Sequence, residues 1–331
     1  MIQWELKKIF KSKNGIFTFI LFFILSISMI FIKPNLEGVN DYRENSKGIT
    51  TVEEQFNMNV ELLREVSESE AKDDISKEFK EISNKKLSAI KFNKYKDIRF
   101  WKAFHHRAFH PFMIFIMLII IVIIFSNIYT DEMISTVDKL ILTSRNKYKV
   151  LYSKLALSIV IPVILYTVYL IIQFIITCIQ FGKPINGGLQ VLRILDNPLL
   201  IKDAYTIYEF ILLKTGIMLL LLITLGVFGC LFSFLTTNSI QSTSAFFIFI
   251  FSGKVMTLIR WLPNEALMIF SKVNYIDLIF NFNEFAGMYS GRFRMFNISL
   301  DITNLCLGIM IAVLFIGILS CRSIFRKYLT R

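Results

Sequence analysis

The chain has 331 residues, 54% of them hydrophobic and 19% charged, with a formal net charge of +12. That apolar excess excludes an ordinary water-soluble domain, and four cysteines in such a length exclude a disulfide scaffold. The basic residues flank long apolar runs, so anionic lipid accounts for them and nucleic acid is excluded as a partner.

Residues 1–15 begin the chain with Ile2, Leu6, Ile9 and Phe10 on one helical face and Lys7, Lys8, Lys11 and Lys13 mostly on the rest. That pattern predicts a short helix lying in the cytoplasmic interface. Six apolar stretches follow at 16–32, 112–129, 155–179, 210–235, 239–259 and 302–320. At 1.5 Å of rise per residue each crosses a hydrocarbon core of roughly 30 Å. The fold class expected is therefore all-α, a polytopic membrane protein with six transmembrane helices. The fifth stretch is the weakest, because Ser239, Gln241, Ser242, Thr243 and Ser244 dilute its first turns. The first is too long for a signal core and no small-residue cleavage site follows it, so it is read as a retained span.

Between the first two spans, residues 33–111 carry apolar positions at helical spacing: Val52, Phe56, Val60 and Leu63, then Ile75, Phe79, Ile82, Leu87 and Ile90. With a polar turn over 67–74 they predict an extracellular helical hairpin. Residues 130–154 are a short cytoplasmic loop, and 180–209 an extracellular one. The stretch 260–301 is too interrupted to cross and too apolar to be solvated, so re-entrant helices are expected before the last span. A short tail, 321–331, ends the chain.

Charge tests this topology. With the N-terminus inside, the inner segments hold 13 Lys and Arg against 4 Asp and Glu, whereas the outer segments hold 22 against 21. Short basic loops stay cytoplasmic, so both termini are expected inside. The chain has no phosphate-binding Gly-x-x-x-x-Gly-Lys-Ser/Thr loop, no HExxH and no GxSxG, so no enzyme activity is expected.

The segment from Asn127 to Ser144, followed by Lys147 and Lys154, resembles the permeases of ABC-2 type exporters. In that family the second span runs into an acidic pair, Gly-Thr, a Leu-rich turn, a Pro, a basic residue and finally a Lys. Asp131 and Glu132 match the acidic pair, Thr136 the Thr, Leu140 and Leu142 the turn, Lys147 the basic position and Lys154 the last Lys. Ser135 stands where Gly is usual and Ser144 where Pro is usual. The long first outer loop is similar to a subgroup with an added extracellular helical domain. The resemblance implies a coupling helix at 130–154 resting on a separate ABC ATPase subunit. Met133, Val137 and Leu140 would enter a groove, while Asp131, Glu132 and Lys139 set register. It further implies two ATPase subunits per complex, ATP and Mg bound on those subunits and no cofactor on this chain, and a second permease copy, identical or homologous. The location implied is the bacterial cytoplasmic membrane, with an amphipathic or hydrophobic cargo moving outward. A peptide is the preferred cargo, with drug or lipid-like molecules as the other classes. The alternative reading is a non-transporting membrane sensor or scaffold whose outer hairpin binds a ligand.

Other candidates are weaker. His105, His106 and His110 precede the second span, but no Cys or nearby carboxylate completes a metal set. Gln173, Lys214 and Lys254 are polar residues within spans and are candidate translocation-path groups. For the two lysines the competing reading is snorkelling to the outer interface. No Asp or Glu lies in the middle of any span, which argues against a proton-coupled carrier.

Overall fold

The computed structural model describes residues 2–32, 52–70, 73–90, 96–195, 197–259, 261–295 and 298–330. The start of the predicted outer domain, 33–51, and the terminal Arg331 lie outside the described residues.

Helix α1 (Ile2–Lys11) folds back against α2 (Lys13–Phe31), with Ser12 capping α2 by accepting a hydrogen bond from the Gly15 amide at 2.9 Å. Next come two antiparallel amphipathic helices, α3 (Val52–Glu68) and α4 (Asp74–Ser88), packed on each other. The α4 start is fixed by Ser76, whose hydroxyl accepts from the Asp73 amide at 3.0 Å. A short helix, α5 (Arg99–Ala108), leads into α6 (Pro111–Phe125), which has Pro at its first position and His110 Nδ1 accepting from the Phe112 amide. Two small helices, α7 (Thr130–Ile134) and α8 (Val137–Thr143), connect to the 35-residue α9 (Lys147–Phe181).

After a loop, α10 (Ile207–Leu235) starts on a Thr206–Glu209 capping box and turns tightly into α11 (Ser239–Met256), capped by Asn238. Three short helices follow: α12 (Asn264–Val273), α13 (Tyr275–Phe280) and α14 (Phe282–Phe285). Strands β1 (Arg292–Met295) and β2 (Ile298–Asp301) then form an antiparallel hairpin with Arg292 opposite Asp301. The last helix is α15 (Ile302–Thr330).

Among the described residues, five helical stretches are long and apolar enough to cross a membrane: Lys13–Phe31, Arg99–Ile134, Lys147–Phe181, Ile207–Leu235 and Ile302–Lys327. The chain is thus a polytopic, helical membrane protein. The sequence reading counted six; α11 is a helix, but its Ser- and Thr-rich first turns keep it out of that set. The all-α expectation holds for the bundle, with one local addition. The segment before the last span is not purely helical, because Arg292-Phe293-Arg294-Met295 alternates with the period of a strand, after Gly291 at φ +91°.

Helix α10 is the hub of the bundle, packed against α6, α9, α11 and α15 and buried along most of its length. It approaches α9 closely at Gly226. Pro162 has no amide hydrogen and leaves the Ser158 carbonyl without its usual helical donor. A Cβ built on Gly226 would lie 2.4 Å from that carbonyl oxygen, so only glycine permits the packing. Exposed Phe19 and Phe23 on α2, and Phe315, Ile316 and Leu319 on α15, form the apolar outside of the bundle.

Candidate functional site: a buried ion network beneath the 126–154 connection

The connection between α6 and α9 is short and strongly anchored. The Ser233 hydroxyl, near the end of α10, accepts from the Tyr129 amide at 2.9 Å and the Thr130 amide at 3.2 Å, the free donors that begin α7. Thr243 of α11 donates to Ser126 Oγ at 3.1 Å, and the Thr130 and Ser239 hydroxyls lie 3.5 Å apart. Phe325 near the end of α15 packs on Tyr152 and Phe234 with ring centroids 5.7 and 4.5 Å away. The N-terminal helix, this connection and the end of α15 therefore share one end of the bundle.

At that end lies an ion network. The Lys154 ammonium donates to Glu132 Oε1 at 2.8 Å, to Glu5 Oε2 at 3.1 Å and to the Ile128 carbonyl at 3.0 Å. Those three bonds use all the donors an ammonium has. Lys8 adds a second cation, 2.5 Å from Glu132 Oε1. Glu5, Glu132 and Lys154 are almost completely buried. Glu5 Oε1, Glu132 Oε2 and Asn127 Oδ1 are buried acceptors that receive no hydrogen bond from the described residues. Glu5, Lys8, Asn127 and Asp131 border a cavity of about 40 Å3 there. A buried ion pair of this kind adds little net stability but punishes removal of one partner. Here it ties α1, the α6–α7 turn and α9 into one rigid unit.

The nine residues singled out in 130–154 divide into two sets. Asp131, Thr136, Val137, Lys139 and Leu140 are exposed, and Lys147 is half-buried. Glu132 and Lys154 are interior, so they do not form a contact surface; they brace it from beneath. Met133 also turns inward, against the core. The apolar residue exposed in its place is Ile134, which with Val137 and Leu140 forms a row that is 62%, 37% and 70% exposed. Between the two small helices Thr136 adopts φ 58°, ψ 11°, a left-handed conformation that a β-branched residue rarely takes. Ile134, Glu5 and Lys8 were missed by sequence reasoning. Ile134 carries a signal, being three residues before Val137, whereas nothing local marks Glu5 as the partner of a lysine 149 residues away.

At the opposite end the span polar residues are also committed. Lys214 does not snorkel: it is fully buried, bonding Asn283 Oδ1 at 2.8 Å and His105 Nε2 at 3.0 Å, with its ammonium over the Phe210 ring at 4.8 Å. Lys254 is half exposed and forms a two-pronged pair with Asp277, at 2.9 and 2.8 Å. Gln173 is buried and donates to the Ser26 carbonyl. The histidines separate, His105 facing Lys214 and His106 stacking edge-on to His110. Among the described residues no group of three His, Cys, Asp or Glu side chains is arranged to hold a metal ion. Arg107, unmarked by the sequence reading, is buried and donates to Thr177 and Gln180 on α9.

Helices α3 and α4 are docked on the 191–199 loop rather than tethered. Asn59 donates to the Leu192 and Leu195 carbonyls, Lys86 to the Pro198 and Leu199 carbonyls, and Arg193 lies 3.9 Å over the Phe56 ring. Burial lowers Lys86 to about 7, against the opposing pull of Asp203. Comparison with protein-family models, curated proteins and solved structures found no match to this chain.

Proposed function

We propose that the chain is the permease subunit of an ABC-2 type exporter, driven by ATP hydrolysis on a separate ATPase subunit. One observation carries the reading: the exposed apolar row Ile134, Val137, Leu140 sits on a short connection braced by the Lys154 network to α1 and α9. An exposed apolar row rimmed by charge fits a partner's groove, and a rigid connection passes the partner's motion into the helices. In this reading Asp131 and Lys139 set register on the surface, while Glu132 and Lys154 keep the connection from yielding.

The reading includes a sixth crossing. Helix α11 runs from Ser239 beside Thr130 to Lys254 paired with Asp277, and in its polar first turns Ser239 and Thr243 meet Thr130 and Ser126. Six crossings would put both termini on the cytoplasmic side of a bacterial membrane, a topology that the basic surplus of the inner segments supports. Two ATPase subunits carrying ATP and Mg would bind a pair of permeases, and an amphipathic or hydrophobic cargo, preferably a peptide, would move between them. The test is a double substitution, Ile134→Glu with Leu140→Glu, in the native membrane. The ATPase subunit should no longer co-purify while the chain remains inserted; unchanged co-purification overturns the reading.

A further inference from the structure

Where β2 runs into α15, a groove of about 750 Å3 opens along the side of the bundle. Its wall is one face of α15: Asn304, Leu305, Gly308, Ile309 and Ala312 recur at helical spacing. Eight rises of 1.5 Å from Asn304 to Ala312 give it a length of about 12 Å, running from the helix start toward the middle of the span. Gly308 is not there for helix packing, since a Cβ built on it meets nothing within 4 Å. A glycine inside a helix costs about 0.5–1 kcal/mol against alanine, and here its effect is to keep the groove open.

The mouth of the groove is charged. Lys202 bonds Asn304 Oδ1 at 2.8 Å and Asp301 at 3.3 Å, and Arg292 makes one long contact, 3.4 Å, to Glu78. Arg292 has five N–H donors, lines the groove, and keeps its side chain about half exposed beside its pairing with Glu78. Asp301 is held by Lys202 and by the Asn304 amide. A second groove of about 740 Å3 lies on the other side of α15, and its charged lining residues are Asp203, which pairs with Lys85 at 2.8 Å, and Glu209. It too contains a glycine, Gly216, whose Cβ would meet nothing.

We propose that the first groove binds an anionic phospholipid, its phosphate between Arg292 and Lys202 and an acyl chain along Leu305, Gly308 and Ala312. A guanidinium and an ammonium above an apolar channel match a headgroup and tail in that order. The inference is independent of the exporter reading, because it concerns a surface on the far side of the bundle from the connection.

Native mass spectrometry of the purified chain, titrated with phosphatidylglycerol or phosphatidylcholine in detergent, tests it. Phosphatidylglycerol should bind several-fold more tightly than phosphatidylcholine. Arg292→Gln should weaken it about fivefold, the effect of one basic residue at a membrane surface. Gly308→Leu, which leaves every ion pair intact and fills the channel, should weaken it at least as much, while Gly216→Leu in the acidic groove should leave it unchanged. Equal binding of the two lipids overturns the proposal. So does a Gly308→Leu variant that binds like the wild type, or a Gly216→Leu variant that loses as much as Gly308→Leu.

Discussion

Replacing Lys154 with Met removes the centre of the buried network and keeps the length of the side chain. The variant loses two charge-assisted bonds and the bond to the Ile128 carbonyl. Glu132 keeps Lys8 at 2.5 Å, but Glu5 is left with no cation, and its other oxygen already lacks a partner. An uncompensated charge at a site almost closed to solvent costs about 3–5 kcal/mol. Adding Glu5→Gln removes that stranded charge and should restore about 1–3 kcal/mol, so the double variant is more stable than Lys154→Met alone. Equilibrium unfolding of the purified chain in mixed micelles measures both. A Lys154→Met variant within about 0.5 kcal/mol of wild type, the range of ordinary surface changes, would refute the network's bracing role. So would a double variant no more stable than the single one.

Three further outcomes follow from particular contacts. Gly226→Ala drives a methyl group into the Ser158 carbonyl oxygen, a backbone atom that cannot swing aside, and should destabilise the bundle by about 1–3 kcal/mol in the same unfolding assay. Thr136→Gly relieves a left-handed backbone and should stabilise the connection by about 0.5–1 kcal/mol, read as slower amide exchange over α7 and α8. Lys86 supplies a pH dependence: folded, it gives up its proton near pH 7, whereas unfolded it holds it to the usual 10.5. Between those values the unfolded chain binds more protons, so the docking of α3 and α4 should strengthen as pH rises from 6.5 to 9. Proteolysis of those helices should slow over that range, and Lys86→Met should flatten the trend.

Much of this architecture is legible in the sequence because a bilayer constrains length and polarity so strongly. The apolar stretches around α2, α6, α9, α10 and α15 stand out by length alone, and the Phe56, Val60, Leu63 spacing marks the helical character of α3. What escapes is pairing across distance. Glu5 and Lys8 look like any charges beside a first span, and Lys154 looks like a topogenic cation, until folding brings them together. Lys214 looked able to snorkel because His105 and Asn283, its partners, are remote in sequence. The hairpin before α15 was hidden because its alternation lasts only four residues per strand. Helix α11 sits at the margin for a related reason: two of its polar residues find neighbours, Thr243 at Ser126 and Ser239 at Thr130, and hydropathy alone does not register a partner.

The most direct test of the central claim places a photo-crosslinking amino acid at position 140 of the chain in its native membrane. The account predicts crosslinking to a nucleotide-binding ATPase subunit, lost when the probe is moved to the inward-facing, half-buried position 133. Crosslinking to lipid alone, or labelling of position 140 by an impermeant reagent added outside intact cells, would contradict it.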